Sequence, residues 1–242
     1  MDKWSKYGSC KTRNKNIADY YESVNHCHSL TLKQVLGGRV EQALDIACGD
    51  GDSSRIVSRY SEYVIGVDSS EALIKKAKQE LCHNRFQFEC NTFEDIEFEA
   101  GRFDLISSSW YLNHVHTTEG LHQAFLKMDS LLKPDGKVVF IVPSASFTSP
   151  EIQQIAREEY GWHKAWTEVQ ETLTRGVFCY GDHWIPTTVW QPMFLMKMMS
   201  EKFHVRALDV KSTLINEQRL GSLQTEPPFE IIYGEKRKER VL

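Results

Sequence analysis

The stretch ALDIACGDGDSSRIV, residues 43–57, sets Gly49 and Gly51 one residue apart between an apolar run and a helix-like segment, with Asp45, Asp50 and Asp52 crowded around them. A strand, a Gly-x-Gly turn and a helix make a nucleotide site, because backbone N–H groups approach the ligand where no side chain obstructs. The next strand-like run, YVIGVD, ends in Asp68, 17 residues after Gly51. That is close to the ~20-residue offset at which an acid reaches the ribose hydroxyls of a nucleoside. Charge then narrows the ligand: carboxylates within ~4–6 Å of a pyrophosphate repel it, most strongly where water is scarce. Three acids favour a ribose-bearing ligand with cationic groups. The competing account of Asp50 and Asp52 is local, since aspartates in tight turns often bond only the turn's own N–H groups.

Other groups carry weaker signals. HCHS at 26–29 puts Cys27 between His26 and His28. Neighbours on a helix point in different directions and no second ligand pair matches, so no metal site is expected. The six cysteines show no C-x-x-C spacing, which fits free thiols in a reducing compartment. Between 144 and 190 the residues Trp162, His163, Trp166, Phe178, Tyr180, His183, Trp184 and Trp190 concentrate aromatic and imidazole groups. Singly each is more often core, but together they point to an apolar pocket for an aromatic or lipophilic molecule.

These residues need elements to hold them. Residues 1–16 are polar and basic, and 16–36 carry the spacing of one or two helices ended by Gly37-Gly38. Strands are expected over 42–47, 63–68, 85–90, 103–110 and 137–142, with helices over 53–60, 69–81 and 119–132 between them. Ser69 or Ser70 is the N-cap of the second of these helices. Buried strands alternating with helices argue for an α/β, doubly wound, mostly parallel sheet covered on both faces. From 144 to 190 the rhythm breaks into a polar helix over 149–173 and an aromatic-rich stretch, read as a lid inserted after the fifth strand. A helix over 191–203 and strands over 204–210 and 229–237 complete the chain as one domain.

Composition sets limits. The chain has 242 residues, 41% hydrophobic and 26% charged, and a formal net charge of −4. Nucleic acid is disfavoured as a partner by that charge. No apolar run approaches the ~20 residues of a membrane helix and the first residues lack an apolar signal core, so the expectation is a cytoplasmic monomer or homodimer with no membrane partner.

The order ALDIACGDG, VIGVDSSEALIKKAK, FDLISSSWYLNHVH, LLKPDGKVVFIV resembles the class I S-adenosylmethionine-dependent methyltransferases, especially their small-molecule branch with a hydrophobic-D-x-x-C-G-x-G signature. The resemblance spans residues 17–143 and implies a Rossmann-like seven-stranded sheet. S-adenosyl-L-methionine, with an ammonium, a sulfonium, a ribose and an adenine, suits the acidic loop. The resemblance further implies that Asp45 and the backbone around Ala47, Cys48 and Gly49 hold the methionine and ribose side, and that Gly51 is the close-approach glycine. It implies that Asp68 takes the ribose hydroxyls and that Ser69 neighbours the adenine. Ser107, ending the fourth strand, meets the cofactor through its backbone. The family's acid after the third strand falls on Thr92, a departure, leaving Asn91 or Thr92 to bond the adenine and Phe93 to pack on it.

By the same resemblance, Tyr20 and Tyr21 lie in an N-terminal cap of about 1–36, Tyr20 toward the cofactor and Tyr21 toward the reacting groups. Trp110, Tyr111, His114 and His116 lie where the family meets its methyl acceptor. His114 is the first candidate for a base or orienting group, with Tyr111 beside it; loop packing is its alternative role. Methyl transfer can proceed by positioning alone, a base mattering chiefly for hydroxyl or carbon acceptors. The expected function is O- or N-methylation of a small aromatic or lipophilic molecule. Methylation of a tRNA base, or a binding or regulatory role without transfer, are the alternatives.

Overall fold

The computed structural model describes residues 15–180, 183–214, 223 and 226–238. Helix α1 (Lys15–Leu36) leads into strand β1 (Val40–Ile46), and the glycine turn opens α2 (Asp52–Val57). Then follow β2 (Ser61–Asp68), α3 (Glu71–Glu80), β3 (Phe86–Cys90), β4 (Phe103–Ser109), α4 (Thr118–Leu131) and β5 (Leu132–Pro143). Ser70 caps α3, accepting from the Leu73 N–H at 3.3 Å. The sheet is closed at one side by β9 (Phe203–Leu208) and β10 (Phe229–Lys236), giving the order β3-β2-β1-β4-β5-β10-β9. Only β10 runs against its neighbours, since β1 to β5 pair in parallel and β10 is antiparallel to both β5 and β9. This is the doubly wound Rossmann-like sheet that the alternating pattern implied.

Strand parity sorts the core. Leu44, Ile46, Ile106, Val138 and Phe140 pack on one face with Leu121, Phe125 and Met128 of α4. Ala43, Leu105, Val139 and Ile141 pack on the other with Val24 and Cys27 of α1 and Ile56 of α2. Side chains alternate strictly along a strand, so Asp45 and Ser107, register partners on β1 and β4, face α1 and α2. There both are fully buried.

Between β5 and β9 the chain makes α5 (Pro150–Ile155), a wider π-type turn (Ala156–Tyr160) and a separate antiparallel sheet of β6 (Trp162–Val169), β7 (Leu173–Tyr180) and β8 (His183–Trp190). Helix α6 (Pro192–Met199) then returns to the main sheet. The polar helix expected over 149–173 is therefore corrected. It stops at Gly161, whose φ of 71° ends the turn, and WHKAWTEV continues as a strand. Gly176 explains how β6 and β7 approach so closely: a Cβ there would meet the Ala165 carbonyl, with Trp166 Cε3 at 2.9 Å. Residues 1–14, with Cys10, and 181–182 lie outside the described residues, as do the side chains of Tyr180 and His183.

Candidate functional site

A cleft of about 270 Å³ opens beyond the carboxyl ends of β1 to β4, where ligands sit in doubly wound sheets. Asp68 ends β2 and lines it, accepting from Gly49 N–H on Oδ2 and Ser70 N–H on Oδ1, both at 2.9 Å. Ala47 and Gly49 line the same wall, with φ of 56° and 55°. Glycine adopts that geometry without strain and a residue with Cβ does not. Ser69 and the run Asn91, Thr92, Phe93 also line the cleft. Asn91 Oδ1 accepts the Thr92 N–H at 2.9 Å, and Phe93 packs edge-on to Tyr111.

Four residues expected at the cofactor, Cys48 and Ser107 through their backbone, are not in the lining of the cleft. Asp45 lies beneath the loop instead of lining the cleft, its Oδ2 accepting from Ser53 and Ser54 hydroxyls at 2.6 Å each. Burial pushes its carboxyl up to about 7, against the two hydroxyl bonds. Cys48 turns away into the cluster of Ile74, Ala77 and Phe88, and burial pushes its thiol well up. Gly51 approaches protein, not ligand: with φ 95°, a Cβ would meet Leu81 Cδ1 at 2.8 Å. Ser107 bonds His28 Nε2 at 2.8 Å across the sheet, because β4 runs on to Ser109, and it is Ser109 that lines the cleft. That bond also accounts for the histidine of HCHS, which burial lowers to about 4. Among the described residues no group of three His, Cys, Asp or Glu is placed to hold a metal.

The acids of the loop are sorted too. Asp50 lines the cleft but pairs with Lys76 at 2.9 Å, while Asp52 is exposed on the first turn of α2. Glu94, which sequence reasoning missed, lines the cleft and accepts the Tyr111 O–H at 2.6 Å. Burial and Glu94 together push the Tyr111 phenol far above its ordinary range. Among the described residues the cleft thus has carboxylates at Asp50, Asp68 and Glu94 and no Lys or Arg in its lining. That donor set fits a cationic nucleoside and not a phosphate.

A second cavity of about 100 Å³ adjoins the first, sharing Tyr21, Trp110 and His114 as common wall. Trp110 holds φ 72°, a costly conformation for a bulky residue, where Tyr20 stacks on it at 6.5 Å. Tyr20 lines this second cavity, not the cleft, which corrects its expected cofactor contact; Tyr21 lines both. Trp162 and Phe178 add the inner face of the inserted sheet. Trp190 and Trp184 do not line it: Trp190 is core and donates to the Val115 carbonyl at 2.9 Å, and Trp184 is 55% exposed. His116 instead bonds the Thr188 hydroxyl at 2.9 Å.

His114 is held neutral. Burial first, then the neighbouring His116 and Lys164 charges, lower it to about 4, against a bond to the Pro186 backbone. A ring N–H given to that carbonyl leaves Nε2 as the lone-pair nitrogen, 2.9 Å from Asn113 Nδ2. Both nitrogens are engaged, which suits orientation better than proton abstraction.

The glycine-turn cleft edged by Asp68 thus sits on a Rossmann-like sheet whose strands run 3-2-1-4-5 and are closed by an antiparallel strand. Residues 44–140 match the family model described as a methyltransferase domain. Over those residues the chain is similar to that family. It is 30% identical over 118 residues to a ubiquinone biosynthesis O-methyltransferase of Coxiella burnetii, covering 48% of this chain and 49% of that one. To a demethylmenaquinone methyltransferase of Oceanobacillus iheyensis it is 29% identical over 145 residues, 54% and 60% of the two chains. The chain thus spans about half the length of the curated relatives it matches. In fold it is similar to an S-adenosylmethionine-dependent methyltransferase from Mesorhizobium loti, with TM-score 0.60, 16% identity and 85% and 96% of the chains covered. The N-methyltransferase NodS of Bradyrhizobium japonicum, solved with S-adenosylhomocysteine, gives TM-score 0.58 at 14% identity, covering 94% and 91%. No helix among the described residues is long and apolar enough to cross a membrane.

Proposed function

We propose that the chain is an S-adenosyl-L-methionine-dependent methyltransferase acting on a small aromatic or lipophilic acceptor by O- or N-methylation. In this reading it works as one cytoplasmic domain, monomeric or homodimeric, with α1 as its cap and β6–β8 as its acceptor lid. The observation that carries it is the pair of adjoining cavities with a common wall of Tyr21, Trp110 and His114, one edged by carboxylates with no Lys or Arg among the described residues, the other aromatic. When bound, the cofactor supplies a methyl group already activated on a sulfonium.

The residues of this chain then bind and align. Asp68 takes the ribose hydroxyls, the backbone at Ala47 and Gly49 takes the methionine side, and Ser69, Asn91 and Thr92 surround the adenine with Phe93 against its face. Glu94 stands two residues beyond the position where the family's acid was expected, and supplies the charge missing there. Trp110 and Tyr21 exclude water between the two cavities, and neutral His114 orients the acceptor. Such positioning and desolvation supply much of the acceleration for an in-line displacement.

The test is transfer of an isotopically labelled methyl group from S-adenosylmethionine to a panel of planar phenols and amines. Turnover of at least one acceptor, lost in Trp162→Ala but kept in Trp184→Ala on the exposed edge, supports the reading. Turnover indifferent to Trp162 contradicts the acceptor assignment.

A further inference from the structure

Lys164 occupies the middle of the inner face of the inserted sheet. Trp162, Lys164 and Trp166 alternate along β6, and Lys164 stands in register with Phe178 on β7. The lysine is 8% exposed and lines the second cavity, with Nζ 3.9 Å from the centre of the Phe147 ring and 5.8 Å from that of Trp166. No carboxylate pairs with it among the described residues. Among the described residues the titratable groups that share the cavity with it are His114 and the Tyr20 and Tyr21 phenols, none of them a carboxyl.

Aromatic faces stabilise a buried ammonium by less than burial of the charge costs it. Burial accordingly lowers Lys164 to about 7. The same cavity holds two open polar groups: among the described residues Thr187 Oγ1 and Asn113 Oδ1 are buried without a hydrogen-bond partner. Buried polar atoms are nearly always satisfied, and two left open beside an ammonium that no carboxylate pairs describe the complement of a ligand.

Resting on the methyltransferase reading above, we propose that this cavity selects a planar acceptor bearing an anionic oxygen, a phenolate or a carboxylate, with Lys164 as its counter-charge. The aromatic walls stack the plane. Thr187 and Asn113 bond its remaining polar groups, Asn113 Oδ1 taking a donor. A neutral molecule of the same shape leaves the ammonium unpaired and binds weakly.

The test is calorimetric binding of para-nitrophenolate, benzoate and neutral nitrobenzene to the full chain loaded with S-adenosylhomocysteine, for wild type, Lys164→Met and Lys164→Arg. At least one anion is expected to bind about 10- to 100-fold more tightly than nitrobenzene, the range of one charge-assisted contact. Lys164→Met loses that preference, Lys164→Arg recovers part of it, and S-adenosylhomocysteine affinity stays at the wild-type value in both, which separates the effect from misfolding. Preference for para-nitrophenolate assigns the oxygen to a phenolate, preference for benzoate to a carboxylate. Nitrobenzene binding as tightly as both anions, no anion binding at all, or undiminished anion affinity in Lys164→Met overturns the proposal. If S-adenosylhomocysteine fails to bind while anion selectivity persists, the cofactor reading falls and this one stands.

Discussion

Asp68 and Lys164 face adjoining cavities, and their surroundings treat them in opposite ways. The Asp68 carboxylate is met by two backbone N–H groups before any ligand arrives. The Lys164 ammonium is met by ring faces, beside two polar atoms without a hydrogen-bond partner among the described residues. In the proposed reading the donor cleft is thus organised by its own backbone, whereas the acceptor cavity is completed by what enters it. Such an arrangement suits an enzyme family that keeps one donor and varies its acceptors, since the inserted sheet can change without disturbing the loop after β1.

The largest expected effect breaks the donor side alone. Asp68→Ala removes the ligand contact and strands two N–H groups, so S-adenosylhomocysteine affinity falls by about 100-fold in calorimetry. Anion binding in the second cavity is expected to survive. Next, Gly176→Val breaks the acceptor side alone: its Cβ has no room against the Ala165 carbonyl, and chemical denaturation should show a loss of about 2 kcal/mol. Here donor affinity measured under native conditions is the quantity that should hold.

A third effect distinguishes the two regions by pH. Unfolded histidines titrate near 6.5 and native His28 and His114 near 4, while Asp45 titrates near 3.8 unfolded and near 7 in the fold. Between pH 4 and 6.5 the unfolded chain therefore holds two histidine protons that the native one lacks, and the native chain holds one Asp45 proton that the unfolded one lacks. These three groups together make stability rise with pH by about 1.4 kcal/mol per unit, the value of one net proton. Asp45→Asn removes the opposing proton and steepens the rise to about twice that, read from denaturation at several pH values. The smallest effect sharpens the boundary: Tyr111→Phe deletes the bond to Glu94 and weakens donor binding only about threefold.

Legibility in the sequence followed how local each signal was. The sheet was readable because period-two strands and amphipathic helices alternate within a few residues of one another, and Asp68, Gly49 and Phe93 followed from strand ends. The Asp45 side chain lies beneath the cleft because parity decides which face of a strand a side chain takes. The motif ALDIACGDG does not state which face carries the helices. Glu94 was visible as an acid in NTFED, two residues beyond where counting stopped. Lys164 had no local signal at all. Its burial comes from the pairing of β6 with β7 and from Phe147, more than a dozen residues earlier, and WHKAWTEV read as helix hides both.

The central claim is that the acidic glycine loop and Asp68 hold a cationic nucleoside and not a phosphate-bearing one. Isothermal calorimetry with S-adenosylmethionine and with NAD, on wild type and Asp68→Ala, tests it most directly. The account predicts one S-adenosylmethionine bound per chain, affinity reduced about 100-fold in the variant, and no measurable heat with NAD. Tight NAD binding, or S-adenosylmethionine affinity unchanged by Asp68→Ala, would contradict it.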